Sequence, residues 1–188
     1  MDGELRFLNG ETFLDNVEIY NCSQLDSSNS AIRFDKAVTK HSSVTNCAIH
    51  NGLGWGLNIK NSANIYLKNN VFFEFSPVGI AVDYAQNITL DGNVLMSVLE
   101  KNIPEQIGPS YEKRGGFAIC AYLSSSATCQ DITVINNIAT GITFAGFIVP
   151  GDKCGETDYK SFYNNVGHST AGLRGGIGAL IYPKGGSS

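Results

Sequence analysis

Apolar and polar residues alternate along the chain in short bursts, and the bursts recur. One pattern reads apolar, any, apolar, any, then an asparagine pair or its variant. It appears as Val17-x-Ile19-x-Asn21-Cys22 and Val44-x-Asn46-Cys47, the latter with its first apolar position displaced by Ser. It returns as Ile65-x-Leu67-x-Asn69-Asn70, Ile88-x-Leu90-x-Gly92-Asn93, Ile132-x-Val134-x-Asn136-Asn137 and the degraded Phe162-x-Asn164-Asn165. A second pattern, small residue, apolar, any, apolar, sits between copies. Examples are Ala31-Ile32-Arg33-Phe34, Gly56-Leu57-Asn58-Ile59, Gly79-Ile80-Ala81-Val82, Gly116-Phe117-Ala118-Ile119, Gly146-Phe147-Ile148-Val149 and Gly176-Ile177-Gly178-Ala179. Period-two alternation predicts strands, and the intervening Gly, Asn and Ser predict turns.

The asparagine motifs end at 22, 47, 70, 93, 137 and 165, in steps of 25, 23, 23, 44 and 28 residues. Two or three short strands at a near-constant period predict an all-β, right-handed parallel β-helix, a solenoid of about six coils. Six coils at strand spacing stack to roughly 29 Å. Inward Ile, Val, Leu and Phe lie on their copies in the next coil. A corner Asn tolerates the left-handed backbone, and its amide can bond to the Asn above and below. An antiparallel sandwich, the competing account, does not place asparagine pairs at one phase of a fixed period. The 44-residue step hides one long loop insertion over 99–114, with Pro104, Pro109 and no clear alternation. The whole of 1–188 reads as one domain with a 184–188 tail, expected to be a segment of a larger protein.

Composition narrows the picture. Charged residues are only 16%, whereas Gly reaches 21 residues and Asn 18, which disfavours a helix bundle. The formal charge is −4 with no Lys/Arg stripe, so no nucleic-acid partner is expected. The apolar run from Ile142 to Pro150 is far too short to span a bilayer, so no membrane insertion is expected.

Five cysteines is an odd number, so at least one is unpaired. Cys120 and Cys129 flank a short connection and are candidates for a disulfide. Cys22 and Cys47 share a motif phase, which allows either a disulfide between coils or two stacked buried thiols. Cys154 has no evident mate. Asn21-Cys22-Ser23 and Asn87-Ile88-Thr89 are glycosylation sequons, with Asn87 the better acceptor. These features lean toward an oxidising, extracellular setting.

Chemistry would need carboxylates, or a carboxylate and a base, converging on one face. Glu74, Asp83 and Asp91 fall at different phases, so nothing joins them. His50 and His168 follow asparagine corners and read as corner residues bonded to backbone; His41 reads as solvated. No two His share a metal-ligand spacing and no Cys-x-x-Cys exists, so neither metal nor cofactor is expected. Trp55, between Gly54 and Gly56, is the candidate platform for sugar stacking, with packing in the coil as the competing reading. Arg33 and Asp35 share a strand face and read as a surface ion pair.

With the repeats in place, the chain resembles the fibrocystin and fibrocystin-like surface proteins, over about residues 14 to 183. The specific stretch runs Asn136-Asn137-Ile138-Ala139-Thr140-Gly141, Ala145-Gly146-Phe147-Ile148-Val149-Pro150-Gly151 and Cys154. It continues through Phe162-Tyr163-Asn164-Asn165-Val166-Gly167-His168-Ser169 and Gly175-Gly176-Ile177-Gly178 to Tyr182-Pro183. More distantly the chain is similar to cell-surface hyaluronidases with the same region. Those resemble a Gln followed by a P-I-H-F-H stretch; here Gln24 is followed by Ala31-Ile32-Arg33-Phe34-Asp35. Arginine cannot serve as a base at neutral pH, so catalysis of that kind is not carried over.

The resemblance implies a large, modular, glycosylated ectodomain, often associated with cilia or a cell coat. The function expected is a non-catalytic structural or adhesive module at the extracellular or ciliary surface. Its partners would be neighbouring domains, and possibly glycans. The alternative is a carbohydrate-active enzyme or glycan-binding module with a hyaluronidase- or pectinase-like groove.

Overall fold

The structure, a computed structural model, describes residues 3–24, 29–38, 40–99, 114–121, 129–151, 161–172 and 176–182. The described residues form strands that wind through three parallel sheets in strict rotation. The first sheet holds β1 (Leu5–Phe7), β4 (Ser30–Asp35), β7 (Trp55–Lys60), β10 (Val78–Asp83), β13 (Gly115–Ile119), β16 (Ala145–Pro150) and β19 (Ile177–Tyr182). The second holds β2 (Phe13–Asp15), β5 (Ser42–Thr45), β8 (Ala63–Lys68), β11 (Gln86–Asp91), β14 (Gln130–Ile135) and β17 (Phe162–Tyr163). The third holds β3 (Glu18–Tyr20), β6 (Ala48–His50), β9 (Val71–Phe75), β12 (Val94–Val98), β15 (Ile138–Thr140) and β18 (Val166–His168). Each winding takes one strand from each sheet, giving six complete windings, with β19 opening a seventh.

Register explains the repeats. Ile65 lies beside Ile88 and Ile88 beside Ile132; Leu67, Leu90 and Val134 form the next row. All but the partly buried Ile132 are essentially sealed from solvent. Full burial of such a side chain contributes about 1.5–3 kcal/mol. Phe117 stacks on Phe147 with centroids 4.8 Å apart.

The asparagine pairs divide two tasks between them. The first member turns the corner from the second sheet to the third. Asn16, Asn46, Asn69, Gly92, Asn136 and Asn164 occupy it, with φ of 56°, 53°, 55°, 67°, 58° and 54°. Asparagine tolerates this region, and Gly92 meets it without a Cβ. The second member turns inward. Asn70, Asn93 and Asn137 are fully buried in one column. The Oδ1 of Asn93 accepts both the backbone N–H and the Nδ2–H of Asn70. Asn137 serves Asn93, and Asn165 serves Asn137, in the same way. Each Nδ2 also donates to a carbonyl of the preceding winding: Asn70 to Val44, Asn93 to Leu67, Asn137 to Leu90, Asn165 to Val134.

One phase differs from the sequence pattern. Asp15 pairs with Thr45, so Asn16-Val17, not Asn21-Cys22, lies under Asn46-Cys47. Asn21 lies instead under Asn51, at the corner from the third sheet to the first, where Tyr20 pairs with His50. Both corners demand a left-handed residue and both take Asn, with φ of 52° at Asn21 and 57° at Asn51. Cys22 and Cys47 therefore sit on different corners as separate buried thiols, and the inter-coil disulfide does not form. Cys120 and Cys129 are joined and tie β13 to β14. Cys154 and nearly all of the 99–114 insertion lie outside the described residues.

Candidate functional site

The outer face of the first sheet carries the densest set of polar groups. On β4 the inward residues are Ile32 and Phe34, both fully buried. That leaves Arg33 and Asp35 facing out. Register adds Arg6 from β1 and Asn58 from β7 beside Arg33, then Lys60 beside Asp35 and Asp83 beside Lys60.

Asp35 is the hub. Its Oδ2 accepts from Arg6 Nη2 at 2.7 Å and from Arg33 Nη2 at 3.3 Å. Arg33 Nη1 lies 4.0 Å from Glu4 Oε1, which also accepts the Ser30 backbone N–H at 3.1 Å. Burial raises the Asp35 pKa, but the Arg6 hydrogen bond and the charges of Arg33, Arg6 and Lys36 outweigh it. Its carboxyl therefore titrates below the ordinary 3.8. The pair is thus not an open surface contact: the Arg33 and Asp35 side chains are only 15% and 10% exposed. Two buried atoms here have no hydrogen-bond partner, Arg33 Nε and Asn58 Oδ1.

The first sheet also carries a second buried apolar cluster, which includes Trp55, Val78, Ala81, Ala118, Ala145 and Ile148. Trp55 is 7% exposed within it. Its burial is that of a packed residue, whereas a sugar ring needs an accessible aromatic face to stack upon.

Two of the three histidines, His50 and His168, lie on the outer face of the third sheet. His50 Nε2 meets Glu18 Oε1 at 3.0 Å, and its Nδ1 bonds to Asn51 Oδ1. Asn51 Nδ2 donates to Glu74 Oε2 at 3.0 Å, and Tyr20 stacks on the His50 ring. The Asn51 and Glu18 hydrogen bonds, with the Glu18 and Glu74 charges, raise the His50 pKa above 6.5 against an opposing desolvation. His168 Nδ1 contacts the hydroxyls of Thr140 and Ser169. Both rings bond to side chains rather than to the expected backbone. Glu74, Asp83 and Asp91 stand on three different parts of the surface and do not converge. His41 has no hydrogen bond or ion pair among the described residues, where no three His, Cys, Asp or Glu converge as a metal site.

A model of the right-handed β-helix region matches residues 5–166. The chain belongs to that family. No curated protein and no solved structure matches it. The family match supports the right-handed β-helix region over those residues; the resemblance to fibrocystin-like proteins rests on the sequence motifs alone.

On this right-handed β-helix the two sequons stand differently. Asn87 is exposed on β11 with φ of 52°, and its Nδ2 donates to Asn64 Oδ1 of the winding before at 2.8 Å. Asn21 is exposed at its corner, but Ser23 is 2% exposed and its Oγ accepts the Gly54 N–H. Sequence reasoning missed Glu4, Arg6 and Asn58 as members of the charged face. Only winding brings them beside Arg33, and no local motif marks them.

Proposed function

We propose that this β-helix is a non-catalytic structural and adhesive module of a large extracellular or ciliary surface glycoprotein. The observation that supports this best is the Arg33–Asp35 network. Where the hyaluronidase-like stretch carries histidines, this chain carries an arginine and a carboxylate locked to each other, to Arg6 and to Glu4. A carboxylate held ionised between two guanidiniums is a poor proton donor, and a guanidinium is no base. The buried asparagine column and the Cys120–Cys129 bond suit a rod that must hold its shape outside the cell. Glycan at Asn87 and Asn21, and neighbouring domains as partners, belong to the same reading.

The test combines activity with context. Purified protein is incubated with hyaluronan and with pectin, and polymer length is followed by viscometry. Unchanged length, together with recovery of the native chain inside a larger surface assembly, is the expected result. Depolymerisation that disappears in Asp35→Asn would replace the scaffold with the enzyme.

A further inference from the structure

The sequence holds two Asn-Gly dipeptides, Asn9-Gly10 and Asn51-Gly52. Asparagine is chemically labile, and most so before glycine, whose missing Cβ leaves its backbone nitrogen free to approach the neighbouring side-chain amide. The two pairs share one intrinsic chemistry, and the fold treats them oppositely.

Asn51-Gly52 is clamped. The Gly52 N–H donates to Glu74 O and the Asn51 N–H to Phe73 O, both at 2.9 Å, so the backbone on either side of the amide is tied to β9. The amide itself is held, with Oδ1 bonded to His50 Nδ1 and Nδ2 donating to Glu74 Oε2 at 3.0 Å. Gly52 is buried, and even a Cβ on it would clash with the Phe75 ring and Ser23 Oγ. The peptide has no room to turn.

Asn9-Gly10 is open. Both residues are exposed, in the turn between β1 and β2. The Gly10 N–H has no hydrogen-bond partner among the described residues. A Cβ at Gly10 would meet nothing within 4 Å. The Asn9 amide faces two carbonyl oxygens, and its Nδ2 donates to Leu8 O at 2.8 Å and Lys36 O at 3.2 Å.

We propose that Asn9 is a site of spontaneous deamidation from which the fold shields Asn51. The Gly10 nitrogen bonds to Asn9 Cγ and gives up its proton through water to the departing group. The Cγ–Nδ2 bond breaks and ammonia leaves. Water then opens the five-membered imide. Addition at Cγ yields aspartate; addition at the backbone carbonyl carbon yields isoaspartate, with the chain now running through Cγ. Loss of ammonia makes the change one-way. A carboxylate has no hydrogen to give, so the bonds to Leu8 O and Lys36 O are lost. Lys36 follows β4 in the second winding, so the modified turn comes free of its neighbour.

The intact protein is kept in warm, mildly alkaline buffer below its melting transition, and in parallel in denaturing urea. Peptide maps read by mass spectrometry follow both sites, and electron-transfer fragmentation separates isoaspartate from aspartate. In the folded protein Asn9 should convert at least about tenfold faster than Asn51, because ring closure at Asn51 must first break bonds each worth about fivefold to tenfold. In urea the two rates should converge. The proposal fails if Asn9 stays intact in the folded protein or if Asn51 keeps pace with it. It fails also if Asn51 lags equally in urea, since the difference then belongs to local sequence and not to the fold.

Discussion

Truncating Asn93 to alanine tests whether the buried amide column holds the windings together. Asn93 is fully buried. Its Oδ1 accepts from Asn70 N at 3.1 Å and from Asn70 Nδ2 at 2.9 Å. Its Nδ2 donates to the Leu67 carbonyl and to Asn137 Oδ1, both at 3.0 Å. Alanine strips a partner from all four groups and leaves too little room for water to replace each bond. A buried donor left unsatisfied costs about 1–3 kcal/mol, and the carbonyls, with two lone pairs, cost less. The expected loss is about 3–6 kcal/mol, a large share of the roughly 5–15 kcal/mol of an ordinary domain. Asn165→Ala is the comparison. Asn165 makes equivalent bonds to Asn137 and Val134 but is only half-buried, so water takes over and the loss is about 1 kcal/mol. Urea unfolding of both variants, followed by far-UV circular dichroism, gives the difference. A gap below about 1 kcal/mol would show that the stacked apolar rows carry the rod without the column.

Other expectations follow from particular contacts. The raised His50 pKa means the protonated ring is favoured in the folded state, so its contribution is fully present below about pH 6.5 and fades as pH rises through the folded value. Melting temperature should drift down across that window in the parent and stay flat in His50→Gln. The lowered Asp35 pKa works in the opposite direction: its contribution stands above pH 3.8 and is lost as pH falls through the folded value, a loss absent in Asp35→Asn. Ile88→Asp should unfold the rod, since Ile88 is fully buried and an unpaired buried charge costs several kcal/mol, whereas the outward Thr89→Asp should melt near the parent by circular dichroism. Reducing Cys120–Cys129, nine residues apart in sequence, should cost about 2.7 kcal/mol by the loop-entropy relation, read as a lower urea midpoint.

The column of Asn70, Asn93 and Asn137 was legible because stacking in register forces the same residue to return at the same phase. The first winding was not. Local sequence announces a left-handed corner at both Asn16 and Asn21, but it does not say which of the corners of a winding each one turns. Val17 holds the inward place without an amide, so the motif slid to the next asparagine. The third sheet was also faint. Val94-Leu95-Met96 and Ile138-Ala139-Thr140 put apolar side chains on both faces or nearly so, which erases the period-two signal. The charged outer face was half legible: Arg33 and Asp35 share one strand, whereas Glu4, Arg6 and Asn58 reach them only through winding.

The same bonds join Asn70 to Asn93 across 23 residues and Asn93 to Asn137 across 44. The amide spine is blind to how far the polypeptide wanders between its anchor points. Evolution can lengthen, shorten or decorate any detour, and with it whatever the rod displays sideways, provided the next asparagine comes home in step.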